Sequence, residues 1–107
     1  MSAVPDKAAD LQTALSHASQ LLESSPSLAA EQAQEILKVV PDQANALMFY
    51  ALAQGRLGNL QAAVDCLAKL CRLQPKWAAA HYELGLALWR TGQGDQAVVC
   101  LKKTLSQ

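Results

Sequence analysis

The 107-residue sequence contains few of the residue types from which sheets, metal sites and disulfide frameworks are built. Valine and isoleucine together occur only seven times, which is few for a sheet protein. The cysteines are odd in number, and neither they nor the histidines stand at ligand spacing, which argues against a disulfide framework or a zinc site. No glycine loop for nucleotides, serine-elbow motif or paired-carboxylate motif is found, so we expect neither a cofactor nor an enzyme activity. The cysteines and histidines are Cys66, Cys71, Cys100, His17 and His81.

Long apolar runs and a surplus of one sign of charge are absent as well. No stretch approaches the roughly 18 apolar residues of a membrane span, and residues 1–6 do not begin a secretory signal. We therefore expect a cytoplasmic protein without a membrane partner. Residues 1–41 hold five acidic and two basic residues, and residues 42–107 hold four acidic and seven basic residues. This mild asymmetry gives no dense basic face of the kind that binds nucleic acid.

Alanine and leucine supply 38 of the 107 residues, and both are strong helix formers. Short clusters of Pro, Gly, Ser and Asn interrupt the chain, and between them apolar residues recur at helical spacing. The sequence therefore predicts an all-α protein. The six predicted helices cover residues 6–23, 27–39, 42–57, 60–73, 76–91 and 95–105.

Signals for helix ends accompany these segments. Ser27 and Asn59 precede two of the helices, where a short polar side chain can accept the free backbone N–H groups of the first turn. Gly58 and Gly92 follow two others, where a residue of positive φ often ends a helix. Because the connections are short, we expect neighbouring helices to pair antiparallel.

The chain repeats itself with a period of 34 residues. Gly58 and Gly92 are separated by this distance, and so are Pro41 and Pro75. In this register identical residues recur on both helices of a pair, which indicates a repeat architecture. The matching pairs include Ala46 and Ala80, Ala53 and Ala87, Arg56 and Arg90, Ala63 and Ala97, Cys66 and Cys100, and Leu67 and Leu101.

In its period and small-residue positions the sequence resembles the tetratricopeptide repeat family. The resemblance implies one domain over residues 1–107, a short right-handed superhelical solenoid of three antiparallel helix pairs. Its units would cover residues 10–43, 44–77 and 78–107. The first unit departs from the family pattern, with Ser24 at the turn-glycine position and His17 at the small-residue position. The third unit fits best, with His81, Leu84, Gly85, Leu88, Gly92, Ala97 and Leu101 at signature positions.

The resemblance also implies a binding surface. In this family the first helices of successive pairs line a concave groove. The matching positions here hold apolar, aromatic and arginine side chains, and several of these types are enriched at binding hot spots. Two of them, Met48 and Leu86, have an alternative place in the core. The ten implied groove residues are Asn45, Met48, Phe49, Leu52, Arg56, Tyr82, Glu83, Leu86, Trp89 and Arg90.

Some members of the family grip acidic chaperone tails with a clamp of lysines and asparagines, which is missing here. We therefore expect a scaffold whose ligand is a more apolar peptide or helix. One alternative is a self-associating module, a homodimer formed through the apolar face of Val98, Leu101 and Leu105. Another is the repeat arm of a larger enzyme such as a transferase. The positions that match the clamp are Ala14, Ala18, Met48, Phe49, Leu52, Ala79 and Glu83.

Overall fold

The computed structural model describes the backbone of residues 7–105 and the side chains of residues 10–105. All the regular structure in this range is helical, which confirms the predicted fold class, and each described helix end lies within two residues of its predicted position. The predicted start of the first helix, at residue 6, lies outside the described residues. The helices are α1 (Lys7–Ser24), α2 (Pro26–Val39), α3 (Ala44–Arg56), α4 (Leu60–Leu73), α5 (Ala78–Arg90) and α6 (Gly94–Leu105).

The helices stack as three pairs, α1–α2, α3–α4 and α5–α6. Each helix packs against the next one in the chain, and α1 also contacts α3. The result is an elongated body of 55 × 27 × 19 Å. Its core runs through the stack instead of forming one centre, because each pair covers the apolar side of the pair before it. Leu70 of α4 is the largest fully buried side chain.

Glycine turns join the helices of the second and third pairs. Gly58 has φ 86° and Gly92 has φ 83°, as the turn positions predicted, and only glycine adopts such values at little cost. After each glycine the chain closes the helix end in the same way. The backbone N–H of Asn59 donates to the Gln54 carbonyl at 2.9 Å, and that of Gln93 donates to the Leu88 carbonyl at 2.8 Å. These bonds satisfy carbonyls that the helix itself leaves free.

The predicted cap residues are placed less well. The prediction for Ser27 is wrong, because α2 already begins at Pro26, a residue whose missing N–H costs nothing in the first helical turn. Asn59 does precede α4, but its side chain forms no cap. It donates instead to the Gln54 side chain at 2.7 Å.

The residues of α1 are shifted by one repeat position relative to those of α3 and α5. A single residue, Ser25, separates α1 from α2, whereas three residues separate the helices of the later pairs. As a result Ala18, which is fully buried, takes the small-residue position where α1 crosses its neighbour, and His17 is exposed. The prediction that placed His17 there is therefore wrong. Ala18 corresponds to Ala51 in α3 and to Gly85 in α5.

Gly85 shows why that position is small. A Cβ added to Gly85 would lie 2.9 Å from Cδ2 of Leu101 on α6, closer than an ordinary van der Waals contact. The two helices of the third pair therefore approach each other closely at this crossing. Among the described helices, none is both long and apolar enough to cross a lipid bilayer.

Candidate functional site

The first helices of the pairs, α1, α3 and α5, form one side of the stack, called here the concave face. Between α3 and α5 this face opens into a cleft of about 410 Å³, which we call the α3–α5 cleft. Five of the ten predicted groove residues line it: Leu52, Arg56, Glu83, Leu86 and Arg90. Three residues of α4 also line it: Leu60, Ala63 and Leu67. The remaining lining residues are Ala51, Gly55 and Ala87.

Charged groups stand at the edge of this apolar floor. Burial raises the pKa of the Glu83 carboxyl group, and the nearby guanidinium groups of Arg90 and Arg56 partly oppose that rise. The net shift is upward, so the cleft holds a carboxylate whose charge is not fully compensated. The cleft thus combines apolar side chains with a carboxyl group whose pKa is raised, a combination found in many binding sites.

The two arginines have the same repeat position, but only Arg56 has a hydrogen-bond or ion-pair partner among the described residues. Arg56 donates to the Leu22 carbonyl at 3.2 Å and forms an ion pair with Glu23 at 3.1 Å. It therefore ties the end of α1 to α3. Arg90 forms no hydrogen bond or ion pair within the part of the chain that the structure describes. Arg90 is exposed.

A second cleft, of about 420 Å³, lies between α1 and α3. The predicted residues Asn45 and Phe49 line it from α3. The α1 side is mostly polar and was not predicted as part of the groove. The spacing of Gln12, Ser16 and Ser19, at steps of four and three, is the signal that could have identified it. The full lining is Gln12, Leu15, Ser16, Ser19, Gln20, Asn45 and Phe49.

The remaining three predicted residues line neither cleft. Met48 is 6% exposed and belongs to the core, the alternative that the sequence left open for it. Tyr82 and Trp89 are exposed on α5. The Trp89 ring lies beside the start of α6, since a Cβ added to Gly94 would be 3.8 Å from it. The participation of all ten residues in binding remains a prediction.

His81, Cys66 and Cys71 lie in surroundings that suit packing and not chemistry. His81 is 5% exposed, and its Nε2 lies 2.8 Å from the Pro75 carbonyl oxygen. Burial raises the pKa of Cys66 and Cys71 to about 11 each, so both are thiols at neutral pH and poor nucleophiles. Within residues 10–105, no three His, Cys, Asp or Glu side chains come together in a way that could hold a metal ion.

Comparison with known proteins identifies relatives of this fold. The family model of the tetratricopeptide repeat matches residues 53–92. The human FK506-binding protein-like protein is 41% identical over 68 residues, which are 64% of this chain and 20% of that protein. The crystal structure of MamA is 27% identical with a TM-score of 0.83, covering 90% of this chain and 57% of that one. A mutant Thermobaculum terrenum O-GlcNAc transferase is 30% identical with a TM-score of 0.87, covering 96% of this chain and 20% of the transferase.

The chain thus spans a fifth of the human relative and of the transferase, and little more than half of MamA. The likeness concerns the helix pairs and not the rest of those proteins. The matched residues include the turn glycines Gly58 and Gly92, which follow α3 and α5 in the structure. The 34-residue period, the stacked helix pairs and these matches together show a tetratricopeptide repeat at residues 53–92 within a fold of the same helical-repeat type.

Proposed function

We propose that this chain is a protein–protein interaction scaffold that binds a peptide or helical segment on its concave face. Stacked repeats of this family present extended surfaces to protein partners. The observation that carries the proposal is the α3–α5 cleft, in which an apolar floor lies beside the exposed guanidinium group of Arg90 and the half-buried carboxylate of Glu83.

The lining of the cleft defines the ligand class. Leu52 and Leu86 offer apolar surface from the two walls, and Arg90 adds a charged donor at the rim. Because the exposed surface of the cleft is about equally polar and apolar, a segment with both kinds of side chain fits it, with one carboxylate or a free main-chain carbonyl placed to accept from Arg90. A strongly acidic tail fits poorly, because Glu83 would repel it and two clamp positions, Ala18 and Met48, are buried.

Selection of peptides from a displayed random library on the immobilised 107-residue chain tests the proposal. Enriched peptides are then titrated against the wild type, Arg90→Glu and Leu86→Glu. We expect both variants to bind at least tenfold more weakly. Arg72→Glu is the matched control, since Arg72 is also an exposed arginine in the last turn of its helix but lines neither cleft. Peptides that bind the two cleft variants as tightly as the wild type would contradict the proposal.

Arg56→Glu and Trp89→Ala are less useful as groove variants. Arg56 holds the end of α1 through Leu22 and Glu23, so its replacement perturbs the first helix pair as well. Trp89 lies outside the cleft and against the start of α6. Circular dichroism of each variant separates a loss of binding from a loss of structure.

A second candidate function is that of the repeat arm of a larger enzyme. The similarity to the O-GlcNAc transferase, which extends over 96% of this chain but only 20% of that protein, favours it. The length of the natural protein, measured by mass spectrometry of material from its source, tests this candidate. Fluorescence microscopy of the tagged natural protein tests the cytoplasmic location expected under both candidates.

A further inference from the structure

The third helix pair exposes residues whose counterparts in the second pair are buried. Val64 and Cys71 of α4 are 8% and 9% exposed, because α5 packs over them. One repeat later, Val98 and Leu105 of α6 are 46% and 85% exposed. Tyr82 shows the same contrast, at 46%, with its counterpart Met48, at 6%. These three exposed residues and Lys102, which lies between Val98 and Leu105 on the same side of α6, are called the C-terminal face.

The repeat position of Lys102 meets the following pair at both junctions inside the chain. Its first counterpart, Gln34, donates to the hydroxyl group of Tyr50 on α3 at 3.5 Å. Its second counterpart, Ala68, lines a cleft of about 290 Å³ at the junction between the second and third pairs. That junction cleft is completed by Val64 of α4 and by residues of the following pair: Leu84, Leu88, Gln96, Val99 and Cys100.

The opposite end of the stack has a surface with corresponding repeat positions. The outer side of α1 and α2 forms a cleft of about 230 Å³, called the N-terminal face. When the one-residue shift of α1 is taken into account, five residues of the N-terminal face have the same repeat positions as the five residues that the third pair contributes to the junction cleft. In the same order, His17, Leu21, Leu28, Glu31 and Gln32 correspond to Leu84, Leu88, Gln96, Val99 and Cys100. Glu35 completes the N-terminal face.

The charges of the two faces are opposite. The N-terminal face carries Glu31 and Glu35, and the C-terminal face carries Lys102. Glu35 already forms an ion pair with Lys38 at 2.8 Å. Glu31 and Lys102 form no ion pair within the described part of the chain. Their counterparts at the internal junction, Val99 and Ala68, line the same cleft.

We infer that the occupant of these faces is a second copy of this chain, stacked head to tail so that the C-terminal face of one copy covers the N-terminal face of the next. Lys102 of one copy then lies beside Glu31 of the other. A two-fold dimer through two C-terminal faces would instead bring Lys102 of both copies into one interface, where like charges repel. A head-to-tail dimer still has one C-terminal and one N-terminal face uncovered, so further copies add to it and the product is not a dimer alone.

This arrangement leaves the concave face free, so it does not depend on peptide binding. Sedimentation equilibrium of the 107-residue chain over a wide concentration range tests it. We expect the average mass to rise past twice the 11.4-kDa monomer mass without a plateau there. Glu31→Lys and Lys102→Glu should each lower the association constant at least tenfold, and the double variant should regain it. Asp65→Lys is the control, since it makes the same charge change one repeat away from Glu31 on an exposed site of the internal junction.

A mixture of two half-blocked chains separates this contact from a two-fold dimer. Leu28→Glu blocks the N-terminal face and Leu105→Glu blocks the C-terminal face, and both side chains are at least half exposed, so the fold should persist. We expect each variant alone to be monomeric and the mixture to give complexes of two chains and no larger species. A wild type that stays monomeric, or a Leu28→Glu chain that still dimerises on its own, overturns the inference.

Discussion

The close approach of α5 and α6 at Gly85 gives a quantitative prediction for Gly85→Ala. Two opposing terms decide its effect on the free energy of unfolding. Alanine is favoured over glycine inside a helix by about 1 kcal/mol. Against this, the new Cβ would lie 2.9 Å from Cδ2 of Leu101, and pushing that side chain from its rotamer costs about 0.5–1.5 kcal/mol. The sum lies within about 0.5 kcal/mol of zero.

Gly55 provides the comparison. It lies in the last turn of α3, and a Cβ added there meets nothing within 4 Å. Gly55→Ala should therefore show the helix term alone and stabilise the chain by about 1 kcal/mol, or somewhat less near the helix end. In a Leu101→Ala background the obstacle at Gly85 is gone, and Gly85→Ala should then also stabilise by about 1 kcal/mol.

Urea unfolding followed by circular dichroism measures all four terms of this cycle, at a protein concentration low enough to avoid association. The coupling between positions 85 and 101 should be about 0.5–1.5 kcal/mol. The reasoning fails if Gly85→Ala alone stabilises as much as Gly55→Ala, because the crossing would then have room for a methyl group. It also fails if the effect of Gly85→Ala is the same with and without the Leu101 side chain.

Three further predictions follow from burial and charge. Leu67→Ala should cost about 2–5 kcal/mol in urea unfolding and more than Leu101→Ala, since Leu67 is 2% exposed and Leu101, at the same repeat position, is only half-buried. The pKa of the Cys71 thiol is about 11 in the folded chain and 9.0 in the unfolded one. The protonated thiol therefore contributes stability that is complete below pH 9 and is lost as the pH rises through 11. Cys71→Ala should reduce this loss in the free energy of unfolding measured from pH 8 to 11. Arg90→Gln should raise the pKa of Glu83 further, and an unchanged carboxyl titration in NMR would show that the two groups do not interact.

The helix pattern could be predicted from the sequence because its signals are local. Clusters of Pro, Gly, Ser and Asn separate the helices, and the turns require only a positive φ, which Gly58 and Gly92 adopt. The register of α1 could not be predicted in this way. Its connection to α2 lacks a glycine turn and is two residues shorter than the others, which moves Ala18 and not His17 to the crossing. Fixing that position requires the three-dimensional packing of α1 against α3.

The predicted groove residues show a second limit of repeat-based prediction. Met48 and Tyr82 have the same repeat position and were both assigned to the groove, yet one is buried and the other is exposed. Met48 belongs to the apolar core cluster that extends from α3 and α4 into α5 and α6, whereas Tyr82 lies outside that cluster. A repeat position therefore fixes the direction of a side chain, and the neighbouring pair decides whether it is buried. The cleft residues Leu52 and Leu86 were placed correctly on α3 and α5, but the polar side of α1 was not foreseen.

The uneven burial along the stack should also appear as a gradient in hydrogen-exchange rates. Helix α4 contains five buried residues, whereas Ala97 is the only buried residue of α6. In a linear array the least supported end unit opens at the lowest free energy. The amide protons of α6 should therefore exchange well before those of α4. Any molecule that packs over α6 would slow its exchange, so the folding of this helix and its coverage are thermodynamically linked.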